Sequence, residues 1–222
     1  MNVSFSNVSF NGVNSSNAGP NRRHIMPNFA SLSEGAHLRD VFRRFPRGVT
    51  PLLHLHDDVL RRDSELSVAD RELIAAWVSG LNQCRFCFGA HRVMAEAFGV
   101  SMDLIDALFA DLDTAPVRPE LAELLRFSRK LTLEPERVVR SDTQALLASG
   151  WSESAVYDAV MVVSLYAFMN RLVQATGIVP GAEYEKPDAA ALEQRRRGGY
   201  ADWGRREGLI ADKQESARPI ID

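Results

Sequence analysis

Residues 71–100 read RELIAAWVSGLNQCRFCFGAHRVMAEAFGV. Leu73, Ile74, Trp77, Val78 and Leu81 recur at intervals of three and four, which is one face of an α-helix. Gly80 and Asn82 interrupt that stripe, and a second helix is expected from Cys84 until Gly99 closes it. A helix turns about 100° per residue, so Cys84, Cys87 and His91, at i, i+3 and i+7, share a face. Cys87 and His91 are i,i+4 neighbours, close enough for an imidazole to act on a thiol. Both cysteines fall in the first turn, where unpaired amides and the helix dipole favour a thiolate. A free thiol titrates near about 8.5, and such surroundings lower that value. The thiolate is the species that cleaves a peroxide O–O bond and becomes a sulfenic acid, which a second thiol condenses to a disulfide.

Glu72 lies twelve residues before Cys84. In one straight helix it would point about 120° away from the cysteine face. A break at Gly80–Asn82 would fold the two helices together and bring its carboxylate to His91, to orient the ring and support proton transfer. The alternative is a surface carboxylate beside Arg71.

Helical spacing extends in both directions. Leu38, Val41, Phe42 and Phe45 form one short helix ended by Pro46, and Leu52, Leu53, Leu55, Val59 and Leu60 a second. Ser67 is the expected N-cap of the helix that carries Glu72. Leu104, Ile105, Leu108 and Phe109 make another element, followed by ELAELLRFSRKL, by DTQALLASG with Ser141 and Gln144 as a capping box, and by ESAVYDAVMVVSLYAFMNRLVQAT between Ser152 and Gly177. That last helix is apolar on most faces and is expected at the centre of the core. No βαβ pattern occurs, so the fold class is all-α.

The ends differ from the middle. Residues 1–27 form a polar arm in which NVSF occurs twice, and Asn2, Asn7 and Asn14 open formal sequons read as chance. Met26 is an alternative start. Residues 28–185 form the helical domain. Residues 186–222 hold a short exposed helix, AAALEQRRR, and a polar tail with Tyr200 and Trp203, too poor in apolar residues to fold alone and expected to pack on its own domain or on a neighbouring subunit.

Over 222 residues the formal charge is −3 with 25% charged residues, which provides no field for nucleic acid or a membrane surface. No apolar run is read as reaching the roughly 18 residues of a membrane span, and no leader pattern is apparent, so the cytoplasm is the expected location. Two cysteines in one CxxC exclude a disulfide scaffold. Zinc on Cys84, Cys87 and His91 is the main rival to redox chemistry, although no second Cys pair exists to complete a structural site. Covalent haem needs a His at position 88, which is Phe, and a thioredoxin-type motif needs a preceding strand. Two inert core cysteines are the plainest alternative. His24, His37, His54 and His56 read as structural or exposed.

The same stretch resembles the alkylhydroperoxidase D-like branch of the carboxymuconolactone decarboxylase superfamily, through a Glu, eleven residues, CxxCxxxH and a closing Gly. The similarity runs from about Pro51 through Pro180, and the uncharacterised peroxidase-related proteins are the nearest subgroup. The resemblance implies an orthogonal helical bundle that oligomerises as a dimer, trimer or hexamer. It implies a peroxiredoxin-type activity in antioxidant defence: alkyl hydroperoxides are reduced, and a partner protein or small thiol supplies electrons. No metal or other cofactor is called for. Carried over by position, Cys87 attacks, Cys84 resolves, and His91 with Glu72 relays the proton. The chain departs from the family at Phe86, where well-studied peroxidases carry a further His between the cysteines. A lyase or isomerase using His91 as base, and a redox-sensing module without turnover, are the other functions open to these residues.

Overall fold

The computed structural model describes residues 26–181, 184 and 187–211. Among them are ten α-helices, one turn of 3-10 helix and no strand. The NVSF repeats, the three sequons, His24 and the last eleven residues lie outside the described part.

The helices are α1 Leu38–Arg44, α2 Val49–Arg61, α3 Val68–Leu81, α4 Arg85–Ala97, α5 Met102–Ala110, α6 Pro119–Leu133, α7 Arg140–Ala148, α8 Glu153–Thr176, α9 Ala189–Arg196 and α10 Tyr200–Arg206. Helix α3 is the enclosed one: every residue from Asp70 to Gly80 is buried, against α4, α6 and α8. Ser67 starts it as expected, with its hydroxyl accepting from the Asp70 amide and the Asp70 carboxylate accepting from the Ser67 amide. Helix α8 contributes Val162, Val163, Tyr166, Met169 and Val173 to the core but leaves Tyr157 and Phe168 exposed, so it is less central than its composition implied. By length and composition alone α8 could cross a bilayer, at a mean hydropathy of 1.3, yet half of that window is buried within the fold.

Two local expectations are corrected. Gly80 does not break α3; the helix runs through it to Leu81. A Cβ at Gly80 would lie 2.2 Å from the Phe109 ring, so the missing side chain is what admits α5 against α3. Ser141 and Gln144 form no capping box, because α7 begins at Arg140 and Asp142 instead accepts from the Val139 amide at 2.8 Å. The described part of the C-terminal segment takes the first of its two expected courses, packing on its own domain, and adds a second helix there. Helix α10 packs on α2 of its own domain, where the Asp57 carboxylate accepts from the Tyr200 and Ala201 amides, the latter at 3.0 Å. This is helix capping by a carboxylate from another element. Gly199 is needed there, since a Cβ would lie 2.5 Å from Asp57 Oδ1.

Candidate active site

The turn between α3 and α4 positions the cysteines. Gln83 has a φ of 55°, the left-handed conformation that ends many helices. Its amide donates to the Gly80 carbonyl at 2.9 Å and the Cys84 amide donates to the Ser79 carbonyl at 2.9 Å, the two bonds of a Schellman closure. Cys84 therefore ends one helix and serves as the N-cap of the next. Cys87 lies one turn inside α4, so only Cys87 of the pair is strictly helical.

Both are free thiols, exposed by only 1% and 3%. They are hydrogen-bonded to each other, and the pair ionises as a unit. The Cys87 thiol, donating to Cys84, is the main reason that Cys84 is held below its ordinary value. Burial opposes this, while the Cys87 amide, the Asn170 side chain and the Phe86 amide assist. That same bond, then burial and the adjacent Cys84 charge, raises Cys87 well above its ordinary range. Of the two thiols, Cys84 is the one favoured to ionise first.

The structure brings Glu72 and His91 together. Glu72 is fully buried, which excludes the surface alternative, and its Oε2 lies 2.6 Å from His91 Nδ1. Its Oε1 takes Arg61 Nη1 at 2.6 Å and the Tyr200 hydroxyl at 3.1 Å. Burial by itself would raise the Glu72 carboxyl; the charges and hydrogen bonds of His91 and Arg61 overcome it and hold the group at about 2. Tyr166 Oη lies 3.5 Å from His91 Nδ1. Burial first, then neighbouring negative groups that include Glu72, pushes both phenols well above their usual range, so they remain donors at neutral pH. With Nδ1 occupied by Glu72, no hydrogen bond among the described residues engages His91 Nε2, the nitrogen left for proton transfer.

Five of these side chains escaped the sequence reading. Arg61 ends α2 and lies between the rings of Phe98 and Tyr200, 5.1 and 5.0 Å from their centroids. Tyr200 arrives from the C-terminal segment. Tyr166 and Asn170, one turn apart on α8, face His91 and the cysteine turn respectively. His56, read as structural, is buried among Tyr166 and Tyr200, and desolvation lowers it to about 4. The one legible sign was Asn170, a polar residue on the buried stripe of an apolar helix. Phe86, the residue between the cysteines, packs edge-on against His37 at 5.1 Å and Tyr184 at 5.6 Å.

Among the described residues no group of three or more His, Cys, Asp or Glu side chains is placed to hold a metal ion. A surface pocket of about 470 Å³ lies between the C-terminus of α4 and α9, lined by none of the cysteine, His91 or Glu72 side chains. The site is thus a buried dithiol beside a charged carboxylate–imidazole pair, suited to moving protons and electrons within a space closed to bulk water.

Comparison with known proteins bears on the fold and on the family. Residues 49–128 match the model of the carboxymuconolactone decarboxylase family. An uncharacterized protein of Bacillus subtilis, YdfG, is 28% identical over 116 residues, spanning 52% of this chain and 79% of its own length. The crystal structure of an uncharacterized peroxidase-related protein from Silicibacter sp. TM1040 superposes with a TM-score of 0.62 at 25% identity, covering 66% of this chain and 76% of that one. A Ralstonia eutropha JMP134 structure, described as an alkylhydroperoxidase AhpD core, has the same fold with a TM-score of 0.62 at 22% identity, covering 65% and 76%. Residues 49–128 of this all-α chain are thus similar to the carboxymuconolactone decarboxylase family, and its fold is shared with peroxidase-related and AhpD-core structures.

Proposed function

We propose that the protein is a thiol-dependent peroxidase that reduces alkyl hydroperoxides through a Cys84–Cys87 dithiol/disulfide cycle, as part of antioxidant defence. The carrying observation is the hydrogen-bonded thiol pair at the start of α4, next to a His91 ring fixed by a fully buried Glu72 anion. The family similarity supports the same reading.

In this scheme the shared proton moves from Cys87 to Cys84, which turns Cys87 into the thiolate. Cys87 attacks the terminal peroxide oxygen: an S–O bond forms, the O–O bond breaks, and the alkoxide takes the proton held by the His91–Glu72 pair. The Cys84 thiol then attacks the Cys87 sulfenic acid. An S–S bond forms and the hydroxide leaves with the Cys84 proton as water. The dithiol loses two electrons and the hydroperoxide gains them; an external protein or small thiol restores the dithiol. Arg61 and Tyr200 hold the charge on Glu72 in place.

The test is hydroperoxide consumption with a dithiol reductant. Cys87→Ser and His91→Ala are expected to lose activity by a factor of about 100 or more. Wild-type turnover in both variants would overturn the reading. One equivalent of organic hydroperoxide should remove two thiols from the wild type and none from Cys87→Ser. Because the Glu72–His91 pair is built without the sulfurs, a lyase or isomerase with His91 as base is the second reading. Turnover of such a substrate that survives the double Cys→Ser change would favour it.

We assign the protein to the cytoplasm as a homo-oligomer, and the exposed Tyr157 and Phe168 on α8 support self-association. Light scattering of Phe168→Lys measures this: a smaller assembly is expected.

A further inference from the structure

We propose that α8 is the contact helix of a two-fold symmetric dimer, in which its outer stripe, Tyr157, Met161, Ser164, Phe168 and Arg171, packs antiparallel on the same stripe of a second copy. The inference rests on the homo-oligomer reading and deepens it by naming the surface, the symmetry and the register. It is independent of the chemistry at the cysteines.

Positions 157, 161, 164, 168 and 171 advance by four and three residues in turn, the spacing of a seam along which two helices pack. The inward side of α8 is taken by the core, through Val162, Val163, Tyr166, Met169 and Val173. On the outward side Tyr157 is 63% and Phe168 52% exposed, Ser164 and Arg171 are exposed, and Met161 is half-buried. Tyr157 and Phe168 are eleven residues apart, close to three full turns, so the two rings stand on one line about 16 Å long. An apolar line of that length on a folded chain marks a contact surface.

The order of the side chains names the occupant. Ser164 stands at the centre, Phe168 and Met161 lie one turn to either side, and Arg171 and Tyr157 lie two turns out. Turning a second α8 end for end about Ser164 sets Phe168 beside the partner's Met161 and Arg171 over the partner's Tyr157. A guanidinium over a phenol ring is attractive, and the two-fold makes that contact twice. Serine at the crossing point lets the helix axes approach closely. Parallel pairing in register would instead oppose Arg171 to its own copy, a like-charge contact. Asp158, the carboxylate that flanks the stripe, accepts from the Ser64 hydroxyl, and Glu153 lies eleven residues from the centre, so neither carboxylate enters the apolar seam.

The experiment is disulfide trapping in the full-length protein, by mild oxidation and non-reducing electrophoresis, with the size of the wild type read by light scattering. Ser164→Cys sets one thiol of each copy on the axis and is expected to convert most of the protein into a covalent dimer. Arg171→Cys sets each thiol seven residues from the axis, so the two lie about 21 Å apart and should not join. A mixture of Arg171→Cys with Tyr157→Cys should yield a covalent pair. The wild type, whose Cys84 and Cys87 are buried, should yield none. Arg171→Glu should weaken dimerisation about ten-fold through the loss of both ring contacts. Absence of a Ser164→Cys dimer, or equal trapping through Arg171→Cys, would overturn the proposal, and so would a wild-type trimer, which has no two-fold axis. A monomeric wild type would sink the homo-oligomer reading along with it. An oligomeric wild type without Ser164→Cys trapping would sink the α8 pairing alone.

Discussion

The two halves of the site are assembled in opposite ways. The dithiol is made from one turn of chain, Asn82 to Cys87, and gains a single side chain from elsewhere, Asn170. The anion at Glu72 is made from distant pieces: Arg61 of α2, His91 of α4 and Tyr200 of α10, with Tyr166 of α8 against the imidazole. The difference follows from the charges. A thiol pair sharing one proton can be poised by local amides. A fully buried carboxylate costs several kcal/mol to desolvate and survives only where cations and hydrogen bonds surround it, which no single turn of chain can supply. The reactive half is therefore local, and the electrostatic half is tertiary.

The largest expected effect comes from breaking the tertiary half. Glu72→Ala should cost about 3–5 kcal/mol of unfolding free energy in urea, because Arg61 is left buried without its counter-charge. Cys84→Ser and Cys87→Ser should cost far less. Comparable losses in all three would remove the contrast.

Acid should act on the same half in two windows. His56 falls from 6.5 to about 4 in the folded protein, chiefly through desolvation. The unfolded chain binds the extra proton between those values, so stability is complete above pH 6.5 and declines as pH falls to about 4, by up to about 1.4 kcal/mol per pH unit. Glu72 falls from 4.5 to about 2; burial opposes the shift, and His91 and Arg61 produce it. Its contribution is complete above pH 4.5 and is lost on further acidification to about 2. His56→Gln should flatten the upper window only, as read from urea unfolding across pH 3–8. An unchanged slope would mean that His56 does not titrate within the fold.

Gly199→Ala should be milder, at about 1–3 kcal/mol, since the new Cβ displaces Asp57 and with it the start of α10. The informative readout is hydroperoxide turnover, which should fall while the thiol alkylation midpoint stays constant, because Tyr200 serves Glu72 and not the sulfurs. The smallest effect belongs to the local half. Gln83→Gly relieves a left-handed φ and should raise the thermal midpoint, by an amount equivalent to about 1 kcal/mol.

The same division explains what was legible from residues alone. The helices α2, α3, α4, α6 and α8 declare themselves through three-and-four spacing, and Ser67, Ser152 and Gly177 through their capping chemistry. Gly80 misled because glycine is a helix breaker by propensity, while the Phe109 ring that needs its empty Cβ position comes from α5. Tyr200 was unreadable because its segment is polar and is anchored by a carboxylate more than a hundred residues away. His56 gave no sign because a His on an amphipathic helix looks the same whether it faces water or a buried cluster.

Sequence by itself determined the all-α class, the pairing of Cys84 with Cys87 and the i,i+4 place of His91, because helix periodicity and capping are short-range properties of the chain. Only the tertiary structure decided that Glu72 is a buried anion, that Arg61, Tyr166, Tyr200 and Asn170 gather around the imidazole and the cysteine turn, and that Cys84 ionises more readily than Cys87. Those outcomes depend on desolvation and on charges meeting across separate helices, and such energies exist only once the core has closed.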